Sequence, residues 1–113
     1  MKKAGEPQYL YLTTTGRRSG LPREIEIWFT HRDGRYYVIA ETGAKAQWVQ
    51  NLRVNPRVHW RVAGIAFSGQ ARVVDATSEL VLNETVQALS RQKYGWGEGL
   101  VVELAPIPSG LVP

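Results

Sequence analysis

The segment Thr13-Thr14-Thr15-Gly16-Arg17-Arg18-Ser19-Gly20 is dense in hydrogen-bond donors. It carries three threonine hydroxyls, one serine hydroxyl, two guanidinium forks and the backbone N–H groups that glycine leaves uncovered. A phosphate or carboxylate asks for such a cluster, and a planar guanidinium can grip an oxyanion through two bonds at once. The same residues also read as a solvated basic hairpin turn. A second constellation, Ala40-Glu41-Thr42-Gly43-Ala44-Lys45, lies where a strand pattern gives way to a helical one. N–H groups at a helix entry lack intrahelical partners and can face an anion or the polar edge of a ring. Its small residues would let a flat ligand lie against the backbone. An ordinary strand-to-helix loop has the same composition.

The chemistry that is missing narrows the field. There is no cysteine, which excludes a disulfide framework, a thiolate zinc site, an iron–sulfur cluster and a cysteine nucleophile. His31 and His59 are the only histidines and are far apart in sequence, so no metal site is expected. No G-x-S-x-G elbow or Walker loop is present. Gly95-Trp96-Gly97-Glu98-Gly99 follows a helix rather than a strand, the wrong context for a dinucleotide fingerprint. Glu24 and Glu26 share a strand face and could be paired carboxylates, but they read more simply as partners for arginines. The four tryptophans and five tyrosines suit a core, or stacking on nucleic-acid bases. Fourteen basic against ten acidic residues give a net charge of +4, which suits an anionic partner or plain solubility.

These residues need a scaffold, and the hydropathy pattern outlines one. The 113 residues suit a single domain, 1–113, with tails over 1–7 and 105–113. No apolar stretch follows Lys2-Lys3 and no run approaches a membrane span, so a cytoplasmic chain without an integral membrane span is expected. Residues 9–14 are β-prone. Residues 22–31 alternate, with Ile25, Ile27 and Phe29 opposite Glu24, Glu26 and Thr30. Asp33-Gly34 signals a hairpin into a strand over 35–40. Trp48, Val49 and Leu52 sit at helical spacing within 45–54, and Asn55-Pro56 ends that helix. Strands over 57–62 and 65–74 flank the tight Ala63-Gly64 connection. A helix carrying Leu82, Val86 and Leu89 is capped by Thr77 or Ser78 and stopped by Gly95. The apolar run 100–104 reads as a central strand. The order β-β-β-α-β-β-α-β is not a series of βαβ units. It predicts a mainly β chain with two helices (α+β), a small antiparallel split β-barrel of about six strands.

At Leu12–Gly20 with Pro22-Arg23 and Trp28-Phe29, the chain resembles the deazaflavin-dependent nitroreductase family. The likeness continues at Asp33–Val38, at Trp48-Val49-Gln50-Asn51-Leu52-Arg53-Val54-Asn55-Pro56 and at Val101–Pro106. The T-T-G-R-R-S-G turn and the W-x-x-N-L-x-x-N-P helix, in that order, carry it. The family comprises F420H2-dependent reductases on a split β-barrel shared with flavin reductases and pyridoxamine-phosphate oxidases. The resemblance implies that Thr14, Thr15, Arg17, Arg18 and Ser19 hold the phosphate and side chain of F420. It also implies that Ala40, Thr42, Gly43, Ala44 and Lys45 lie along the deazaflavin ring, with Trp48 and Asn51 at the border. Hydride transfer to a small organic acceptor of quinone, nitro or enone type would follow, with a homodimer closing the ring site. Two departures stand out. The ring loop, Glu41–Gln47, is short and brings Glu41 close to the ring, and Tyr94 is the one candidate for a substrate-side tyrosine. FMN is the alternative cofactor, and a cofactor-binding barrel without turnover is the alternative role. A nucleic-acid partner is not expected.

Overall fold

The computed structural model describes residues 7–107. Of the expected tails, 1–7 and 105–113, residues 1–6 and 108–113 lie outside the described residues, and Ala105 and Pro106 belong to the last strand rather than to a tail. Four strands come first: β1 (Tyr9–Thr15), β2 (Pro22–Trp28), β3 (Thr30–Arg32) and β4 (Arg35–Ala40). A 3-10 turn at Gly43–Lys45 leads into α1 (Gln47–Val54). β5 (Arg57–Val62), β6 (Ile65–Val73), α2 (Leu80–Tyr94) and β7 (Leu100–Pro106) follow. All seven strands form one antiparallel sheet in the order β2-β1-β5-β6-β7-β4-β3.

That order explains the seventh strand. Residues 22–31 alternate as one strand, yet they pair as two. Trp28 is the last residue opposite β1, through Tyr9, and Thr30 is the first opposite β4, through Tyr37. β2 and β3 are therefore the two ends of the sheet, joined by Phe29 alone. A sheet whose ends are one residue apart must roll up, and the barrel closes there. The period-2 pattern breaks at the same place, since Phe29 and Thr30 are buried in succession. With no ladder at Phe29, α2 supplies partners for its backbone. The Phe29 N–H donates to the Tyr94 hydroxyl at 3.1 Å, and its carbonyl accepts from Lys93 Nζ at 3.0 Å. Buried backbone groups must find such partners, so the end of α2 latches the barrel.

Two cores hold the sheet. Inside the barrel pack Leu10, Leu12, Val38, Leu52, Val58, Trp60, Val102 and Leu104. A second cluster, with Ile39, Val74, Val86 and Val101, lies under α2 on the outer face. β4 and β7 are thus covered on both sides, and Val101, Val102, Glu103 and Leu104 are buried in succession. Each fully buried aliphatic chain adds about 1.5–3 kcal/mol. The 100–104 run is central, as expected, and its pairing extends to Pro106 opposite Gly69. The Asp33-Gly34 hairpin forms with both residues at positive φ, 53° and 76°.

The start of α2 differs from the expected cap. Neither Thr77 nor Ser78 caps it. The Asp75 carboxylate accepts the Thr77 and Ser78 N–H groups, at 2.8 and 3.1 Å, and Glu79 occupies the cap position. The Glu79 carboxylate accepts from the Asp75 N–H and receives both Arg72 terminal nitrogens at 2.8 Å. Ionised carboxylates accept stronger hydrogen bonds from backbone N–H groups than neutral hydroxyls do, so Asp75 and Glu79 organise the turn before α2.

Candidate functional site

The seam of the barrel makes the site. β3 pairs only with Arg35–Tyr37, so Val38–Ala40 of β4 have no strand partner on that side. β2, opposite, pairs only with β1. Between these two edges opens a cleft of about 750 Å³. β2 lines it with Ile25, Glu26, Ile27 and Trp28, the end of β4 with Ile39 and Ala40, and the following loop with Glu41, Thr42 and Ala46. Trp48 and Trp96 complete the walls. A second depression of about 420 Å³ lies beneath the turn after β1, lined by Gly16, Arg17, Arg18, Ser19, Arg23, Gln47 and Asn51. Ile25 and Trp48 belong to both, so the two form one continuous groove.

The ends of the groove differ in chemistry. At the turn, the described lining carries three arginines and no carboxylate. Gly16 closes the turn by donating to the Leu21 carbonyl at 2.8 Å, and Gly20 takes a left-handed φ of 73°. Arg17 is held by α1: its side chain donates to Asn51 Oδ1 at 2.9 Å and Gln47 Oε1 at 2.8 Å, and its N–H donates to Asn51 Oδ1 at 3.2 Å. Asn51, buried, passes the constraint on by donating to Thr14 Oγ1 at 3.3 Å. Among the described residues every acceptor on Arg17 is neutral, so its charge is fixed in place but uncompensated there. At the cleft end the surface is aromatic. Trp28 stacks on Tyr94 with ring centres 4.4 Å apart and planes within 3°, and meets Trp96 edge-on at 6.4 Å. The groove can therefore seat a ligand with an anionic tail and a flat ring. Among the described residues no group of three His, Cys, Asp or Glu is placed to hold a metal ion. His59 instead meets Ser68 Oγ at 2.8 Å, and His31 packs on Tyr36.

Residues 2–97 match the family model of the F420H2-dependent quinone reductases. The chain belongs to that family. Solved structures agree on the fold. An F420H2-dependent reductase superposes with a TM-score of 0.70 at 20% identity, over 86% of this chain and 93% of the other. A heme storage protein from Vibrio cholerae gives 0.73 at 22% identity, over 92% and 84%. A domain-swapped dimer gives 0.65 at 20% identity, over 86% and 79%. No described helix of this F420H2-dependent quinone reductase family member is long and apolar enough to cross a membrane.

The groove gathers most of the residues that the sequence singled out, with different parts to play. Arg17, Arg18 and Ser19 line the basic end, and Ala40, Thr42 and Trp48 line the cleft. Ser19 Oγ also accepts from the Leu21 N–H at 3.1 Å, which shapes the turn. Asn51 lines the basic end, but its side chain is spent on Arg17 and Thr14. Thr14 is buried beneath it, and Thr15 is in β1 opposite Pro22. Gly43, Ala44 and Lys45 are outside the lining: the loop touches the cleft at Thr42 and again at Ala46. Gln50 Nε2 holds its far side, 3.4 Å from the Ala44 and Lys45 carbonyls. Tyr94 is behind Trp28, its hydroxyl set between the Gln8 and Phe29 carbonyls. Arg23, Glu26, Trp28, Ala46 and Trp96 join the lining without having been singled out as site residues. The signal for β2 was its mixed face, where Trp28 follows two glutamates.

Proposed function

We propose that this chain binds F420 in the seam groove and transfers a hydride from the reduced deazaflavin to a small organic acceptor of quinone, nitro or enone type. The observation that carries the reading is the division of one groove into an uncompensated arginine end and an aromatic cleft, meeting at Trp48 and Ile25. F420, when bound, would supply the hydride chemistry itself. The protein has the simpler task of holding the ring and the acceptor in register. Arg17, pre-set by Asn51 and Gln47, with Arg18, Arg23 and Ser19, would take the anionic tail. Ala40, Thr42 and Trp48 would border the ring, and the unpaired edge of Val38–Ala40 offers backbone groups to its polar rim. Tyr9 and Trp28, each 45% exposed at the mouth of the cleft, suit a homodimer in which a second copy covers the opening. The lack of cysteine suits the cytoplasm.

The test is a parallel fluorescence titration of the purified protein with F420 and with FMN. Tight F420 and weak FMN binding is the expected result. An FMN preference would move the chain to flavin chemistry, and binding of neither would end the enzyme reading. The storage function of one structural neighbour favours a second reading, a cofactor carrier without turnover. F420 binding with no oxidation of F420H2 across quinone, nitro and enone acceptors would establish it.

A further inference from the structure

We propose that the cleft end selects its acceptor by charge, taking neutral and cationic flat acceptors and rejecting anionic ones, with Glu26 and Glu41 as the specificity residues. This rests on the reading of the cleft as the place where acceptor meets ring. Of the described residues that line the cleft, Glu26 and Glu41 alone are charged. Both are exposed, and neither forms an ion pair among the described residues. Glu24, two residues away on β2, behaves differently, since Arg61 neutralises it at 3.0 Å. Glu26 lies near the Tyr11 hydroxyl and raises its pKa. The same cleft presents Trp28, Trp48 and Trp96. Indole faces attract cations, so carboxylates and rings favour the same ligand charge.

The arrangement also gives the groove a direction. Its arginines and its carboxylates are on opposite sides of Trp48 and Ile25, so an anionic tail is drawn to one end and repelled from the other. An anionic acceptor would be steered toward the arginines, away from the ring. In the reaction a quinone takes up a hydride and a proton and becomes the hydroquinone, while the reduced deazaflavin loses the same hydride and proton. The charged substituent takes no part in these bond changes. Because it also alters the electrophilicity of the quinone, binding and the change in ratio caused by removing the two carboxylates are what report on placement.

The experiment uses two naphthoquinones that differ only in one substituent, trimethylammonium or sulfonate. Calorimetry measures their binding to the protein alone, and kcat/KM is measured with F420H2. We expect both measures to favour the cationic probe by at least tenfold at low salt. The ratio should shrink at 0.5 M salt and fall to within threefold in the Glu26→Gln/Glu41→Gln variant. Equal values, a sulfonate preference, no measurable binding of the cationic probe, or a ratio unmoved in that variant overturns the proposal. The binding arm needs no cofactor, so a protein that prefers the cation but ignores F420 refutes the proposed function and leaves the charge selection standing. F420-dependent turnover without charge preference does the reverse.

Discussion

Two arginines in this barrel are held with equal care and to opposite ends. Among the described residues the Arg17 side chain meets only amide oxygens, from Asn51 and Gln47. Arg72, on the far face, meets only carboxylates: Glu79 through both terminal nitrogens at 2.8 Å, and Glu103 through Nε at 3.0 Å. Glu103 is 3% exposed, and it also accepts from the Tyr37 hydroxyl at 3.0 Å and faces Arg35 at 3.6 Å. The hydrogen bonds it donates to Glu79 above all raise the Arg72 pKa. Both guanidinium groups are positioned by hydrogen bonds, but only Arg17 keeps a field for something else to use. Neutral partners leave a charge free for a ligand to use, whereas charged partners complete a structural joint.

The sharpest way to break the comparison is at the joint. Glu103→Ala leaves a vacancy that takes the acceptor from the Tyr37 hydroxyl and from Arg72 Nε, while Arg72 keeps its bonds to Glu79. Leaving a buried donor without its partner costs about 1–3 kcal/mol. Against a typical total of about 5–15 kcal/mol for a domain, that is a large loss. Urea unfolding of the variant should show it. A change below about 1 kcal/mol would mean that the joint is ornamental.

At the other arginine the loss should appear in binding. Arg17→Ala/Arg18→Ala is expected to weaken F420 by at least tenfold, about 1.4 kcal/mol, in a fluorescence titration. Unchanged affinity would remove the anionic tail from this end. Asn51→Asp is the finer probe, because it converts the site into a copy of the joint. Thr14 can turn its hydroxyl to donate to the new carboxylate, so the packing survives. Arg17 would then be compensated, and affinity should fall about three- to tenfold, on the order of 1 kcal/mol. Equal or tighter binding would show that position, rather than open charge, is what Arg17 supplies.

Much of this was legible in the sequence. Alternation and turn residues place most strands and the Asp33-Gly34 hairpin, because burial on one face imposes a period, and 100–104 reads as central because a strand covered on both faces shows as an apolar run. The resemblance pointed to the turn and to Trp48. Other features are tertiary and leave no local trace. The break at Phe29 depends on a pairing partner, β4, and on Tyr94 and Lys93 from α2. Asn51 and Arg17 are 34 residues apart, and no spacing rule joins them. Thr77 and Ser78 are good cap residues by type, but Arg72 and Asp75 decide the matter. The cleft lining from β2 is legible only once the seam is known to run beside it.

The smallest effect expected is a pH slope, and it belongs to the joint. Arg72 above all, and then the Asp75 N–H, draw the Glu79 carboxyl from an ordinary 4.5 down to about 2. The N–H groups of Ser78 and then Thr77 lower the Asp75 carboxyl as well. In the unfolded chain both carboxyls protonate at ordinary values, so the stability they confer is whole above about pH 4.5 and drains away as pH falls toward 2. Tyr37 acts at the other extreme. Burial first, then the bond to Glu103, push its hydroxyl from 10 up to about 12, so its contribution is whole below pH 10 and is lost as pH rises through 12. Melting temperatures between pH 6 and pH 2.5 should fall for the wild type, and fall less steeply for Glu79→Gln, which has no proton to gain at that position. A variant slope equal to the wild type would assign the acid sensitivity to other carboxyls and leave Glu79 a hydrogen-bond partner whose charge is dispensable.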